Sequence, residues 1–245
     1  MGLRVSAIAH QGETAPELAE VVDQIHWVRI GQFGKVVKAL KGDGVRQAVM
    51  LGGMKKTHLF SDVRPDLLAI ALFSKLKSWK DDGILRAIAD GLQGEGITIR
   101  ESTFGLSNIL VQEGELTNCQ LSKKERADVD YGWAIAKDIG QMDIGQCVVV
   151  KDRVIVAVEA VEGTDEAIRR GGKLARKGAV VVKRCKPQQD LRFDLPAVGP
   201  RTIEVMGEVQ ASVLAIEAHK TVVLDREEML HKADQFGIAI IGVTT

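Results

Sequence analysis

Trp27–Leu51 reads WVRIGQFGKVVKALKGDGVRQAVML, and its grammar decides the fold class of the chain's first half. Trp27–Ile30 and Ala48–Leu51 are apolar runs of strand length, and over Gly34–Leu40 the residues Val36, Val37 and Leu40 recur as one helix face would. Strand, helix, strand predicts a parallel sheet, because parallel neighbours need a crossover of a dozen or more residues, usually helical. Toward the N-terminus, Arg4–Ala9 predicts another strand. In the other direction Pro65 opens a helix expected to run through Leu76, and Asp81 or Asp82 can cap a helix over Ile84–Leu92 that Gly94 and Gly96 terminate. Ile97–Ile99 then returns as a strand.

The pattern changes near residue 116, which predicts two domains, 1–116 and 117–245. Gln112–Asp128 is polar, and a helix from about Lys123 to Ile139 carries Val129, Trp133 and Ala136 on one face. Beyond that helix the chain reads as paired strands without long crossovers, a mixed α/β domain. Cys147–Val150 and Val154–Val158 flank Lys151, Asp152 and Arg153 as a tight hairpin. Thr164 or Asp165 can cap a short helix ending at Gly171 and Gly172, Ala179–Val182 is a strand, and Pro200 sits near the start of a helix to Val209. Val213–Glu217 and Thr221–Leu224 are expected to form a second hairpin, before a helix capped by Asp225 and a last strand over Ile238–Val243. No repeat of 20 to 50 residues and no low-complexity tract interrupts this order.

With 245 residues, 45% of them hydrophobic and 27% charged, a sizeable core can form. The 33 Lys and Arg balance the 33 Asp and Glu, so no global field exists to hold nucleic acid or a polybasic membrane anchor. The longest apolar run, Leu67–Phe73, is far below the roughly 20 residues that cross a bilayer, and no signal core follows a basic flank. A cytoplasmic location is therefore expected. Cys119, Cys147 and Cys185 form no CxxC pair and read as reduced, mostly buried thiols.

The densest polar constellation follows an apolar strand: Lys183, Lys186, Asp190, Arg192 and Asp194, with Pro187, Pro196 and Gly199 among them. Mg²⁺ favours one or two carboxylates plus phosphate oxygens, which Asp190 and Asp194 supply in kind, and the planar fork of Arg192 suits a phosphate. If the segment is extended, Asp190, Arg192 and Asp194 share one side and Leu191, Phe193 and Leu195 the other. A solvated loop pinned by three apolar residues explains the same letters. Glu159, Glu162, Gly163, Thr164, Asp165, Arg169 and Arg170 form a second cluster, where a helix N-terminus offers free N–H groups to an anion or where Thr164 and Asp165 merely cap. Glu217 ends an apolar strand and can join Asp190 or Asp194 around a metal. In the first half, Gly52 and Gly53 follow a strand, and His10 follows another, where open α/β sheets bind nucleotides; a tight turn accounts for the glycines equally well. The chain lacks HExxH, GxSxG, GxxxxGK[ST] and a complete GxGxxG, which sets aside zincins, serine hydrolases, P-loop enzymes and ordinary dinucleotide dehydrogenases.

Three long stretches, DIGQCVVVKDRVIVAVEAVEGTDEAIRRGG (143–172), VVKRCKPQQDLRFDLPAVGPRTIEVM (181–206) and AIEAHKTVVLDRE (215–227), closely resemble the LpxI family of UDP-2,3-diacylglucosamine pyrophosphatases. HQGET (10–14), VRIGQFGKVVKALK (28–41) and RPDLLAIALF (64–73) do so as well, so the resemblance spans nearly the whole chain. It implies a Rossmann-like N-terminal domain, a distinct C-terminal domain and substrate held between them. It also implies a Mg²⁺-dependent enzyme of lipid A biosynthesis, with Mn²⁺ as the alternative ion, that splits UDP-2,3-diacylglucosamine into UMP and 2,3-diacylglucosamine 1-phosphate (lipid X). Family members usually begin with a further βα unit bearing an IAGxGxLP turn, and this chain reads from what looks like the second strand, so a missing start is expected.

On that resemblance Asp190 and Asp194 hold or orient the metal and the attacking water, with Asp194, inside RFDLP, the essential group. Lys183 and Arg192 neutralise the pyrophosphate. Glu159 and Glu217 complete the metal set, while Glu162, Gly163, Thr164 and Asp165 join Gly52, Gly53 and His10 in binding substrate. Peripheral contact with the inner membrane and a homodimer are further expectations. The rival from another class is a module that binds a sugar nucleotide or lipid without cleaving it.

Overall fold

The computed structural model describes residues 2–52, 65–74 and 81–244, and the chain divides into two compact units, Met1–Ser102 and Thr103–Thr245. In the first unit β1 (Ser6–His10) pairs in parallel with β2 (Gln24–Val28), and β3 (Gln47–Ala48) pairs in parallel with β4 (Thr98–Ile99). The parallel sense is the expected one. The described strands nevertheless form two separate pairs rather than one sheet, and β2 lies three residues earlier than the apolar run Trp27–Ile30 suggested. The described residues of this unit also form a short 3-10 helix, Pro16–Glu20, and the helices α1 (Phe33–Gly42), α2 (Leu67–Phe73) and α3 (Asp81–Gly94).

The start of α2 belongs to Asp66 rather than Pro65. Its backbone is extended, one carboxylate oxygen accepts from the Ala69 N–H at 2.9 Å, and the other accepts from the Gly34 N–H at 2.7 Å. The side chain therefore caps α2 and ties it to the first turn of α1. Gly53 and Leu76 lie outside the described residues.

The second unit is built on a six-stranded sheet in the order β5 (Gly114–Glu115), β12 (Ala239–Val243), β10 (Val213–Glu217), β8 (Val180–Lys183), β6 (Cys147–Lys151) and β7 (Val154–Val158). The β6–β7 hairpin forms as expected. Its turn residues Asp152 and Arg153 both take positive φ, and their N–H groups donate to the buried Asp128 carboxylate at 3.0 and 2.6 Å. The second hairpin does not form. β10 pairs in parallel with both β8 and β12, and the Thr221–Leu224 segment supplies only β11 (Val222–Val223), which pairs in parallel with β9 (Ala197–Val198) in a separate ribbon. The reason is burial: all five residues of β10 are inaccessible, so the strand needs a neighbour on each side and cover on both faces, the condition of a central parallel strand.

Cover comes from α4 (Lys123–Gln141) on one face and from α5 (Thr164–Ala175), α6 (Pro200–Glu208) and α7 (Arg226–Phe236) on the other. Alternate strand residues divide accordingly. Val148, Val180 and Ala215 meet Val129, Ala136 and Ile139 of α4, whereas Val149, Val181 and Leu214 belong to the core with Ile168, Ile203, Met206 and Met229. Helix α5 approaches the sheet at a glycine. A Cβ on Gly171 would stand 2.6 Å from that of Val149 and 2.9 Å from that of Ala157. Gly171→Ala is therefore expected to lose about 1–3 kcal/mol by overpacking, read as a lower urea midpoint at unchanged slope; an unmoved midpoint would mean that α5 yields freely.

Candidate functional site

Strand directions gather the C-terminal candidates on one edge. Both β7 and β8 run antiparallel to β6, and β10 runs parallel to β8, so the carboxyl ends of all three meet the same rim. Glu159 follows β7, Lys183 ends β8 and Glu217 ends β10. Loops 159–163, 184–199 and 218–225 leave that rim, and the β9–β11 ribbon stitches the last two together. Open α/β sheets receive ligands at such carboxyl ends.

The loop after β8 departs from the expected extended form. Phe193 and Asp194 N–H groups donate back to the Asp190 carbonyl at 3.0 and 3.2 Å, closing a turn over Leu191–Phe193. A turn cannot alternate faces, so Asp190, Arg192 and Asp194 do not present one common side, and Leu191, Phe193 and Leu195 are only half-buried. Arg192 instead grips Asp190 with Nε and Nη2 at 2.9 and 2.8 Å and lies over the Phe193 ring, while Asp194 is exposed and accepts from Gln189 Nε2 at 2.7 Å. Two pins hold the loop's first half: Lys186 to Asp143 at 2.8 Å and Gln188 Nε2 to the Gly140 carbonyl at 2.7 Å.

Behind the loop sits a buried ionic cluster that residue types alone did not disclose. Glu217, 1% exposed, accepts from the Cys185 N–H at 2.9 Å and from Lys220 at 2.8 Å, with the buried Arg184 Nε at 3.8 Å. Arg184 also stacks over Trp133 at 4.9 Å and donates to its carbonyl. The signal for it was a cation directly after a four-residue buried strand, at a place where only a partnered charge survives.

Glu159 is likewise buried and already served, by Thr164 Oγ1 at 2.8 Å and the Gln146 N–H at 3.3 Å. Thr164 thus spends its hydroxyl on Glu159 and does not cap α5. The cap position belongs to Gly163, whose φ of 84° favours glycine, and Asp165 pairs with Arg201 at 2.8 Å. Glu162 binds Arg170, and its carboxyl is held below the usual carboxylate range by its own backbone N–H and by that guanidinium. Lys183 is buried, its ammonium donating to the Ala197 carbonyl at 2.9 Å. Burial, with Glu159 adding to it, pushes the Cys147 thiol up to about 12.

The expected shell of Asp190, Asp194, Glu159 and Glu217 is not assembled: among the described residues no three His, Cys, Asp or Glu side chains are grouped to hold a metal ion. Local cations, hydroxyls and N–H groups occupy the first, third and fourth of these carboxylates. A resident ion does not suit this donor set. Asp194 alone of the four is exposed, its carboxylate accepting from Gln189.

In the N-terminal unit His10 ends β1, where burial lowers the imidazole's proton affinity and Glu13 partly opposes it. Its Nδ1 is buried without a hydrogen-bond partner among the described residues. Gly52 has φ 90° and is exposed, as a turn after β3 requires. No helix among the described residues is long and apolar enough to cross a membrane.

Comparison with known proteins also divides the chain in two, a few residues beyond the boundary of the compact units. The profile described as LpxI N-terminal domain matches residues 1–109, and that described as LpxI C-terminal domain matches residues 112–241. A protein of Caulobacter vibrioides named UDP-2,3-diacylglucosamine pyrophosphatase LpxI is 32% identical over 227 residues, 88% of this chain and 81% of the relative. Matched in both halves, and sharing about a third of its residues across most of its length with a named member, the chain belongs to the LpxI family.

Proposed function

We propose that the chain hydrolyses the pyrophosphate bond of UDP-2,3-diacylglucosamine, giving UMP and 2,3-diacylglucosamine 1-phosphate in lipid A biosynthesis. The observation that carries this reading is its likeness to the Caulobacter vibrioides enzyme, and the rim that joins Glu159, Lys183, Asp194 and Glu217 supports it. Asp194, exposed on its turn, orients the attacking water. Lys183 stands at the end of β8 in a poorly solvated place, where a cation interacts more strongly with a phosphate than it would in water. Arg192 exchanges a bond to Asp190 for a phosphate oxygen, and the first N–H groups of α5, at Thr164 and Asp165 beside the Gly163 cap, donate to the anion. Asp194 would hold Mg²⁺, or Mn²⁺ in its place, on a bound pyrophosphate, and the ion would supply charge neutralisation there. His10 and Gly52 contribute to nucleotide binding in an N-terminal unit that we read as Rossmann-like on the strength of its parallel pairs. The enzyme works in the cytoplasm and meets its diacylated substrate at the inner-membrane surface, and a homodimer is the assembly that family membership favours.

UMP is expected to appear from UDP-2,3-diacylglucosamine only when Mg²⁺ is present, read by chromatography of the released nucleotide. Release in chelator would remove the ion from the scheme. Saturable binding of the substrate with no UMP at any metal concentration would instead identify a sugar-nucleotide binding module.

A further inference from the structure

We infer that Gln189 is a positioning residue that holds the Asp194 carboxylate in its working orientation, a role that rests on the hydrolase reading above. Its neighbours fix the direction of the amide. Gln189 Oε1 lies 3.0 Å from the Lys186 N–H and 3.1 Å from Cys185 Sγ. A backbone N–H only donates, so that end of the amide has to be the oxygen, and the NH₂ end is then fixed toward Asp194 Oδ2 at 2.7 Å. The Cys185 thiol, at 3.1 Å from the same atom, reinforces the choice, because an S–H donates to an amide oxygen and finds no lone pair on an amide NH₂.

The amide is thus the last link in a chain that starts in the protein's interior. Glu217 accepts from the Cys185 N–H, Cys185 and Lys186 lock Gln189, and Gln189 donates a charge-assisted bond to an otherwise exposed carboxylate. An aspartate exposed on a turn has rotamers to lose, and a group that must aim a water benefits from having lost them before substrate arrives. Neither Gln189 nor Cys185 needs to touch substrate for this.

The test compares UMP release by the wild type, Q189M and Q189E, alongside crystal structures of the wild type and Q189M. Q189M keeps the side chain's length but neither donates nor accepts well. Q189E keeps an oxygen toward Lys186 and Cys185 while setting a carboxylate against Asp194. Both variants are expected to lower kcat by about 10- to 100-fold, the scale of a 1 Å misplacement, with KM changed by no more than about twofold. Asp194 is expected to leave its position in Q189M. Wild-type kcat in Q189E, a loss confined to KM, or an undisplaced Asp194 in Q189M would overturn the inference. If the wild type itself releases no UMP, the hydrolase reading fails and Gln189's part in that reaction fails with it; displacement of Asp194 in Q189M would still uphold the hold of one side chain on the other.

Discussion

Asp194→Ala is expected to abolish UMP release while the protein unfolds at the wild-type urea midpoint. The two halves of that result have separate causes. Asp194 is exposed, and among the described residues its side chain's hydrogen bond is the one from Gln189, so its removal opens no cavity and strands no buried charge. The turn that carries it survives, because it is closed by the Phe193 and Asp194 N–H groups on the Asp190 carbonyl, and alanine keeps the backbone donor. Catalysis loses the exposed carboxylate of the loop, and removal of a positioned acid or base typically costs about 10²- to 10⁴-fold. Asp194→Asn sharpens the test. The amide keeps the shape and can still accept from Gln189, but it carries no charge and accepts no proton, so the loss should be as deep as in the alanine variant. Turnover within a few-fold of wild type in either would remove Asp194 from the mechanism and return the question to Asp190. That residue's engagement with Arg192 makes the same substitution there a structural perturbation as well as a chemical one.

Which parts of this molecule could be read before its structure was known depends on how local their causes are. The β6–β7 hairpin was legible because two apolar runs flank Lys151, Asp152 and Arg153, and turn chemistry is decided within those few residues. What receives the turn's N–H groups, Asp128, sits 24 residues away on α4 and left no mark on the local pattern. Val213–Leu224 misled for the complementary reason. Two apolar runs around a short polar turn are the letters of a hairpin, yet a central strand and a two-residue ribbon strand satisfy them equally, and only the neighbours on either side decide. The acid and cation types at the candidate site were legible in the same limited sense. Lys183, Glu159 and Glu217 reach one rim through strand order, a long-range property, whereas Arg192, Thr164 and Lys220, which engage Asp190, Glu159 and Glu217, lie only two, five and three residues along the chain, and local backbone turns rather than residue types decide those pairings. Alternation over Asp190–Asp194 presumed an extended chain. Two backbone bonds to one carbonyl replace it with a turn.

The second large effect belongs to stability. Glu217→Leu is expected to destabilise the protein by about 3–5 kcal/mol, the range for breaking a buried ion pair from one side, and to lower Tm by roughly 6–20 °C for a chain of this size. The side chain is 1% exposed, and the charge it leaves behind is a guanidinium nearly as deeply buried. Arg184 would keep its stacking on Trp133 and its bond to that residue's carbonyl, which offset part of the loss but none of its charge. The Cys185 N–H loses its acceptor at the same stroke. Lys220 matters less, being exposed enough to return to water. Glu217→Gln separates these contributions: an amide oxygen can still serve the Cys185 N–H, so this variant should lose distinctly less than the leucine one, and the difference between them reports the orphaned backbone donor. A metal-ligand role for Glu217 makes the opposite forecast. In that case both variants would fold with wild-type midpoints, and the Mg²⁺ concentration needed for half-maximal UMP release would rise. Because Cys185 and Gln189 link Glu217 to Asp194, the destabilised variants should also lose kcat before they lose their fold, measured well below their own Tm. Full kcat in a Glu217→Gln protein of reduced stability would confine the ionic cluster to holding the rim together.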